Sequence, residues 1–131
     1  MSTELYQEQI LDHYRHPRNK GVLADATVSA RDTNPLCGDE VAFYLRLDGG
    51  GGGVADARFD GRGCAISQAS ASMLSTMLQG KTLAELASID RDTLLATLGV
   101  PITGARLKCA LLPLQVLHLA VDRAKVLPAS G

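Results

Sequence analysis

Tryptophan is absent and aromatic residues make up only 4% of the 131-residue chain, so a core has to be built from Leu, Val, Ile, Ala and Met. Charge of one sign is lacking too: 13 Lys and Arg stand against 14 Asp and Glu, a net charge of −1. That balance argues against a nucleic-acid partner, because such binding draws on a basic surplus to displace phosphate counterions. The most apolar run, Ala110 to Val121, is shorter than the about 18 residues a membrane span needs, and Pro113, Gln115 and His118 interrupt it. No membrane span is expected. Cysteine is scarce, and three thiols cannot all pair within the chain or form the disulfide framework of a small secreted domain. The N-terminal stretch MSTELYQEQILDHYRHPRN lacks the basic start and apolar run of a signal peptide. A reducing compartment, the cytoplasm, is the expected location. What is present is ordinary for a globular protein: 46% hydrophobic and 21% charged residues exclude wholesale disorder. The length implies one domain spanning residues 1–131, burying roughly two thirds of its unfolded surface.

Periodicity places the elements. Ser2 or Thr3 can cap a first helix carrying Tyr6, Ile10 and Tyr14 on one face with Leu11 beside them, and Pro17 stops it. Weak alternation over residues 26–31 predicts a strand with Ala26, Val28 and Ala30 on one side. Stronger alternation over 40–47 puts Val41, Phe43, Leu45 and Leu47 together, and 54–60 puts Ala55, Ala57 and Phe59 together. Five glycines at 49–53 connect the last two strands as a tolerant hairpin loop, since no GK[ST] follows to make a phosphate cradle. A meander of three antiparallel strands results. After Cys64 the period turns helical, with Ile66, Ala69, Met73 and Met77 along a stripe and Gly80 as the stop. Two short helices follow, over 83–87 and 91–98, before Gly99-Val100-Pro101. A final, largely buried helix runs over about 103–126, with a kink expected at Pro113.

The chemistry-bearing residues are the thiols. Cys37 sits in the turn-rich Asn34-Pro35-Leu36-Cys37-Gly38-Asp39, Cys64 between Gly63 and a helix start, and Cys109 on the face of the last helix that also carries Arg106. These three places can meet at one end of a three-stranded sheet, where three thiolates and Asp39 would complete a tetrahedral shell suited to zinc. Spacing alone equally allows three unrelated thiols, because no C-x-x-C pair is present and buried cysteines often behave as small apolar groups. Two features favour the site. Glycines beside Cys37 and Cys64 clear the approach to each sulfur, and a helix N-terminus favours the anionic thiolate that binds metal. His13, His16 and His118 read as structural or surface groups, and Met73 and Met77 as core. Arg18 and Lys20 fall in an exposed loop, as solvated surface or partner contact.

Asp12-His13-Tyr14, Pro17-Arg18-Asn19, NPLCGD at 34–39, GCAISQASASM at 63–73 and ARLKCA at 105–110 together resemble the SufU branch of the IscU/NifU-type iron-sulfur assembly proteins. The resemblance covers nearly the whole chain. It implies an α+β fold, a three-stranded antiparallel sheet with helices packed on one face, and a metal site at one end of the sheet. It implies Cys37, Asp39, Cys64 and Cys109 as ligands with Arg106 beside them, and Cys37 as the thiol that accepts sulfur. The implied function is zinc-dependent acceptance and carriage of persulfide sulfur from a PLP-dependent, SufS-like cysteine desulfurase, for downstream iron-sulfur assembly proteins. Its alternative is a scaffold on which a 2Fe-2S cluster is built and transferred. Two departures bear on that choice. Where the IscU-like branch has a His before its last Cys, this chain has Lys108, protonated at neutral pH and a poor ligand. The insertion that SufU-like proteins usually carry before the final helix has no room between Cys64 and Cys109.

Overall fold

The structure, a computed structural model, describes residues 2–35, 38–48, 53–99 and 101–126. Its elements are α1 (Ser2–Arg15), β1 (Val28–Asn34), β2 (Asp39–Leu47), β3 (Val54–Arg62), α2 (Ala65–Ser75), α3 (Leu83–Ala87), α4 (Arg91–Leu98) and α5 (Ala105–Lys125). The strands form an antiparallel sheet in the order β1-β2-β3, and α2 and α5 pack against it. The predicted fold class is therefore the observed one. The glycine run at 49–52, like Leu36 and Cys37, lies outside the described residues.

One face of the sheet carries Val41, Phe43 and Leu45 of β2, all fully buried, with Val28 and Ala30 of β1 and Phe59 of β3 beside them. Phe43 and Phe59 are direct cross-strand partners with ring centroids 6.3 Å apart. Each such buried side chain contributes about 1.5–3 kcal/mol by leaving water. The opposite face is charged: Arg31 and Arg62 reach Glu40, and Arg58 reaches Asp56. Exposed pairs of this kind add little stability but keep the face wet.

The structure corrects several sequence expectations. Strand β1 begins two residues later than predicted and continues to Asn34, so Ala26 precedes it. In β3 the buried set is Val54, Ala57 and Phe59, with Ala55 only half-buried, because a bulge at Arg46/Leu47 shifts the register and flips the start of the strand. Tyr14 is 44% and Leu11 39% exposed, leaving Ile10 as the described anchor of α1. Helix α2 buries every residue from Ser67 to Ser75, far more than one stripe. The last helix starts at Ala105 and contains Pro113, which has no N–H for the carbonyl of Cys109.

Arg18 is also not a free surface residue. Its backbone N–H donates to Ser72 Oγ at 2.9 Å and its guanidinium to Asp12 at 2.6 Å. Ser72 Oγ lies 2.8 Å from His13 Nδ1, and Asn19 Nδ2 donates to Ser75 Oγ at 3.2 Å. This polar seam fixes α1 and the following turn to α2. His118 Nε2 donates to the Ile89 carbonyl at 3.0 Å, a tie between α5 and the connection from α3 to α4. No helix is long and apolar enough to cross a membrane among the described residues.

Candidate metal centre

Asp39 opens β2, paired across the hairpin with Asn34, and its side chain is completely buried. The turn before it closes through the Gly38 N–H, which donates to the Asn34 carbonyl at 2.8 Å, with Gly38 at φ +72°. A buried carboxylate has to be hydrogen-bonded. The N–H of Cys64 supplies this, donating to Asp39 Oδ1 at 2.8 Å, while Cys64 Sγ lies 3.6 Å from Oδ2.

Gly63 makes this contact possible. A Cβ there would stand 2.2 Å from Asp39 Oδ1 and 2.9 Å from its Cα, and the φ of +149° suits glycine. The glycine expected from the sequence to clear space for a sulfur clears it, in the structure, for the carboxylate. Cys64 is the N-cap of α2, its sulfur accepting the Ser67 N–H at 3.4 Å, while the Ser67 hydroxyl donates to the Cys64 carbonyl at 3.1 Å. Cys64 is exposed.

Cys109 approaches from the side of α5 and is 3% exposed. Its helix is tied to α2 one residue further on, where the buried Ser70 hydroxyl donates to the Ala110 carbonyl at 2.7 Å. The candidate ligand atoms of Asp39, Cys64 and Cys109 all lie within 4.8 Å of one another. Edges of a tetrahedral zinc shell with sulfur and oxygen ligands are about 3.3–3.8 Å, so the Cys64–Asp39 separation already fits and the rest closes with small side-chain movement. Two sulfurs and one carboxylate oxygen suit zinc and iron alike.

Of the other proposed site residues, Cys37 lies outside the described residues. Arg106 and Lys108 are both exposed on the first turn of α5, and neither forms an ion pair with a described residue. The contributions of Ser67 and Ser70 were missed from sequence. Ser67 stands at the third position after an N-cap, a detectable signal; the Ser70–Ala110 contact spans 40 residues and has none.

The chain matches the family described as NifU-like N terminal domain over residues 5–126. It is 40% identical to the zinc-dependent sulfurtransferase SufU of Bacillus subtilis, over 91% of this chain and 90% of that protein. It is 34% identical to the iron-sulfur cluster assembly scaffold protein IscU of Aquifex aeolicus, over 88% of this chain and 73% of that one. A crystal structure from Fervidobacterium islandicum, titled as an iron-sulfur cluster assembly scaffold protein for the SUF system, superposes with a TM-score of 0.74 at 30% identity. It covers 92% of this chain and 99% of that one. The chain belongs to the NifU-like N-terminal domain family of iron-sulfur cluster assembly proteins.

Proposed function

We propose that this single domain is a zinc-dependent acceptor and carrier of persulfide sulfur from a PLP-dependent cysteine desulfurase, acting in the cytoplasm, with Cys37, Asp39, Cys64 and Cys109 as ligands. The observation that carries the reading is the convergence of Asp39, Cys64 and Cys109 on one point, with Cys37 two residues before Asp39 in the sequence. It is supported by the 40% identity to a protein named as a zinc-dependent sulfurtransferase, and by Lys108 in place of a ligating His.

Zinc, when bound, supplies positive charge that keeps the thiols ionised. The chain's own residues divide the remaining work. Gly63 and the Cys64 N–H hold Asp39 by one oxygen and leave Oδ2 turned toward the sulfur of Cys64. Cys64 and Cys109 are fixed by a helix start and a buried helix, so exchange falls to Cys37. The Cys37 thiolate attacks the terminal sulfur of the desulfurase persulfide; a new S–S bond forms at Cys37, the old one breaks, and the desulfurase thiolate leaves with the electron pair. The persulfide then passes to downstream iron-sulfur assembly proteins.

Incubation with a cysteine desulfurase and cysteine should add sulfur to the peptide containing Cys37, read by mass spectrometry. Cys37→Ser should abolish the label and any stimulation of desulfurase turnover; sulfur found chiefly on Cys109 overturns the assignment. The IscU relatives favour a second reading, in which the same residues receive a 2Fe-2S cluster as cargo. Protein purified without oxygen separates the two, since zinc is colourless and a 2Fe-2S cluster absorbs visible light.

A further inference from the structure

The two described thiols of the metal centre differ in what reaches them. Cys64, at the N-cap of α2, is exposed, whereas Cys109, on the side of α5, is buried and donates to the Ala105 carbonyl at 3.8 Å. Yet the two sulfurs lie within 4.8 Å of each other. An oxidant arriving from solvent therefore meets Cys64 first, with a second, shielded sulfur beside it.

The separation is close to bonding range. Disulfide sulfurs stand about 2.0 Å apart, so each sulfur has to advance by no more than about 1.4 Å. The helices behind them are tied together, since the Ser70 hydroxyl of α2 donates to the Ala110 carbonyl of α5 at 2.7 Å, next to Cys109. The movement thus falls to the two side chains. The contacts it disturbs are weak, the Ser67 N–H on Cys64 Sγ at 3.4 Å and Cys109 Sγ on the Ala105 carbonyl. Asp39 takes no part, because the Cys64 N–H holds its carboxylate through Oδ1.

The geometry points to a thiol–disulfide switch inside the metal centre, with Cys64 as the thiol that meets a hydroperoxide and Cys109 as the thiol that resolves it. The Cys64 sulfur attacks one peroxide oxygen; the O–O bond breaks, a sulfenic acid forms at Cys64 and, with hydrogen peroxide, one water leaves. The Cys109 sulfur then attacks Cys64 Sγ; the S–S bond forms, the S–O bond breaks and a second water leaves with the Cys109 proton. Two thiols give up two electrons, and one peroxide is reduced to two waters. The disulfide removes both sulfurs from the ligand set, so oxidation and metal binding exclude each other until a dithiol reductant reopens the site. The inference rests on the ligand cluster and not on sulfur acceptance by Cys37.

The test is peptide mapping of full-length, metal-free protein after one equivalent of hydrogen peroxide, with remaining thiols blocked before digestion by trypsin. Cleavage after Lys and Arg puts each cysteine on its own peptide, Cys37 on 32–46, Cys64 on 63–81 and Cys109 on 109–123. The expected product links 63–81 to 109–123 and leaves 32–46 with a blocked thiol. Its zinc affinity should be at least about tenfold lower and return with dithiothreitol. Cys109→Ser should stop the reaction at the Cys64 sulfenic acid, trapped by dimedone on 63–81, while Cys64→Ser should leave 109–123 unlabelled. A disulfide made chiefly by 32–46, dimedone on Cys109 in the Cys64→Ser variant, or unchanged zinc affinity of the oxidised protein would each overturn the proposal. Should the serine variants fail to fold, the peptide pairing and zinc titration of the wild-type chain decide it. Failure of Cys37 to accept persulfide sulfur would leave all of these readouts where they are, so the two readings fail separately.

Discussion

Helix α2 presents two polar regions that differ in how their hydrogen-bonding capacity is spent. In the seam against α1, donors meet acceptors: the Arg18 N–H on Ser72, Asn19 on Ser75, and His13 on Ser72. At the N-terminus of the same helix, Asp39, Cys64 and Cys109 bring together groups that are all anionic when ionised. Complementary groups satisfy one another and hold the fold, although Arg18 Nη1 beside this seam is buried without a hydrogen-bond partner among the described residues. A region of like groups, once ionised, calls for a cation as well as for hydrogen bonds, which makes the second the proposed ligand site and the first scaffolding.

The largest expected effect breaks the like-charged region. Cys64→Ala or Cys109→Ala should abolish most zinc binding, measured as metal per chain, and lower the melting temperature of the zinc-loaded protein. A metal that binds only the folded state stabilises it by mass action, by about 2.7 kcal/mol at a free concentration a hundredfold above Kd. Unchanged zinc stoichiometry in both variants would remove the site.

Gly63→Ala should come close behind. The added methyl group meets Asp39 Oδ1 at 2.2 Å and its Cα at 2.9 Å, so the β2 backbone has to move as well as the carboxylate. Zinc affinity is expected to fall at least about tenfold, with stability lower by about 1–3 kcal/mol in metal-free protein as well. Wild-type affinity in this variant would show that Asp39 is not held as described.

Breaking the complementary region should have the opposite signature. Ser72→Ala leaves the Arg18 N–H and the His13 ring without their shared partner, at a cost of about 1–3 kcal/mol. Zinc stoichiometry should not change. This seam was also the part least legible in the sequence, since its contacts join residues 54 to 59 positions apart and the serines of α2 break any apolar stripe. By contrast, α3 and α4 were legible to the residue: Thr82 with Glu85 forms a capping box, Asp90 caps the next helix, and Gly99 ends it in the left-handed region. For the site, the convergence of Asp39 with two thiols was legible only through the assembled motifs. Local spacing carries no information on where a hairpin turn and two helices meet. The bulge in β3 was invisible for a similar reason, because alternation has no means of marking a register shift.

Burial and the nearby Arg18 hold the pKa of His13 below its ordinary 6.5, while Asp12 pulls weakly the other way. The sign follows from proton counting: the unfolded chain binds the proton first, so stability is present above pH 6.5 and is lost as pH falls below it. Asp12, whose pKa is lowered chiefly by its hydrogen bond to Arg18, titrates in a separate window below 3.8. In metal-free protein, where no thiol–metal equilibrium intrudes, His13→Gln should flatten the part of the stability profile just below pH 6.5. An unaltered slope in that range would mean that the acid sensitivity of the seam lies elsewhere.

The smallest effect concerns the two cations on the first turn of α5. A full ligand set of three thiolates and one carboxylate around zinc has a net charge of −2, and Arg106, one helical turn from Cys109, is placed to offset it. Lys108 precedes Cys109 directly and so stands about 100° around the helix from it. Both side chains are exposed, and exposed charges interact through water with energies of about 0–1 kcal/mol. Arg106→Ala is therefore expected to weaken zinc binding by no more than about fivefold, with the difference shrinking as salt rises and screening shortens the reach of the charge. Lys108→Ala should change it less. Loss of zinc in Lys108→Ala with full retention in Arg106→Ala would reverse this placement, and would assign to Lys108 the position over the site that the helical geometry gives to Arg106.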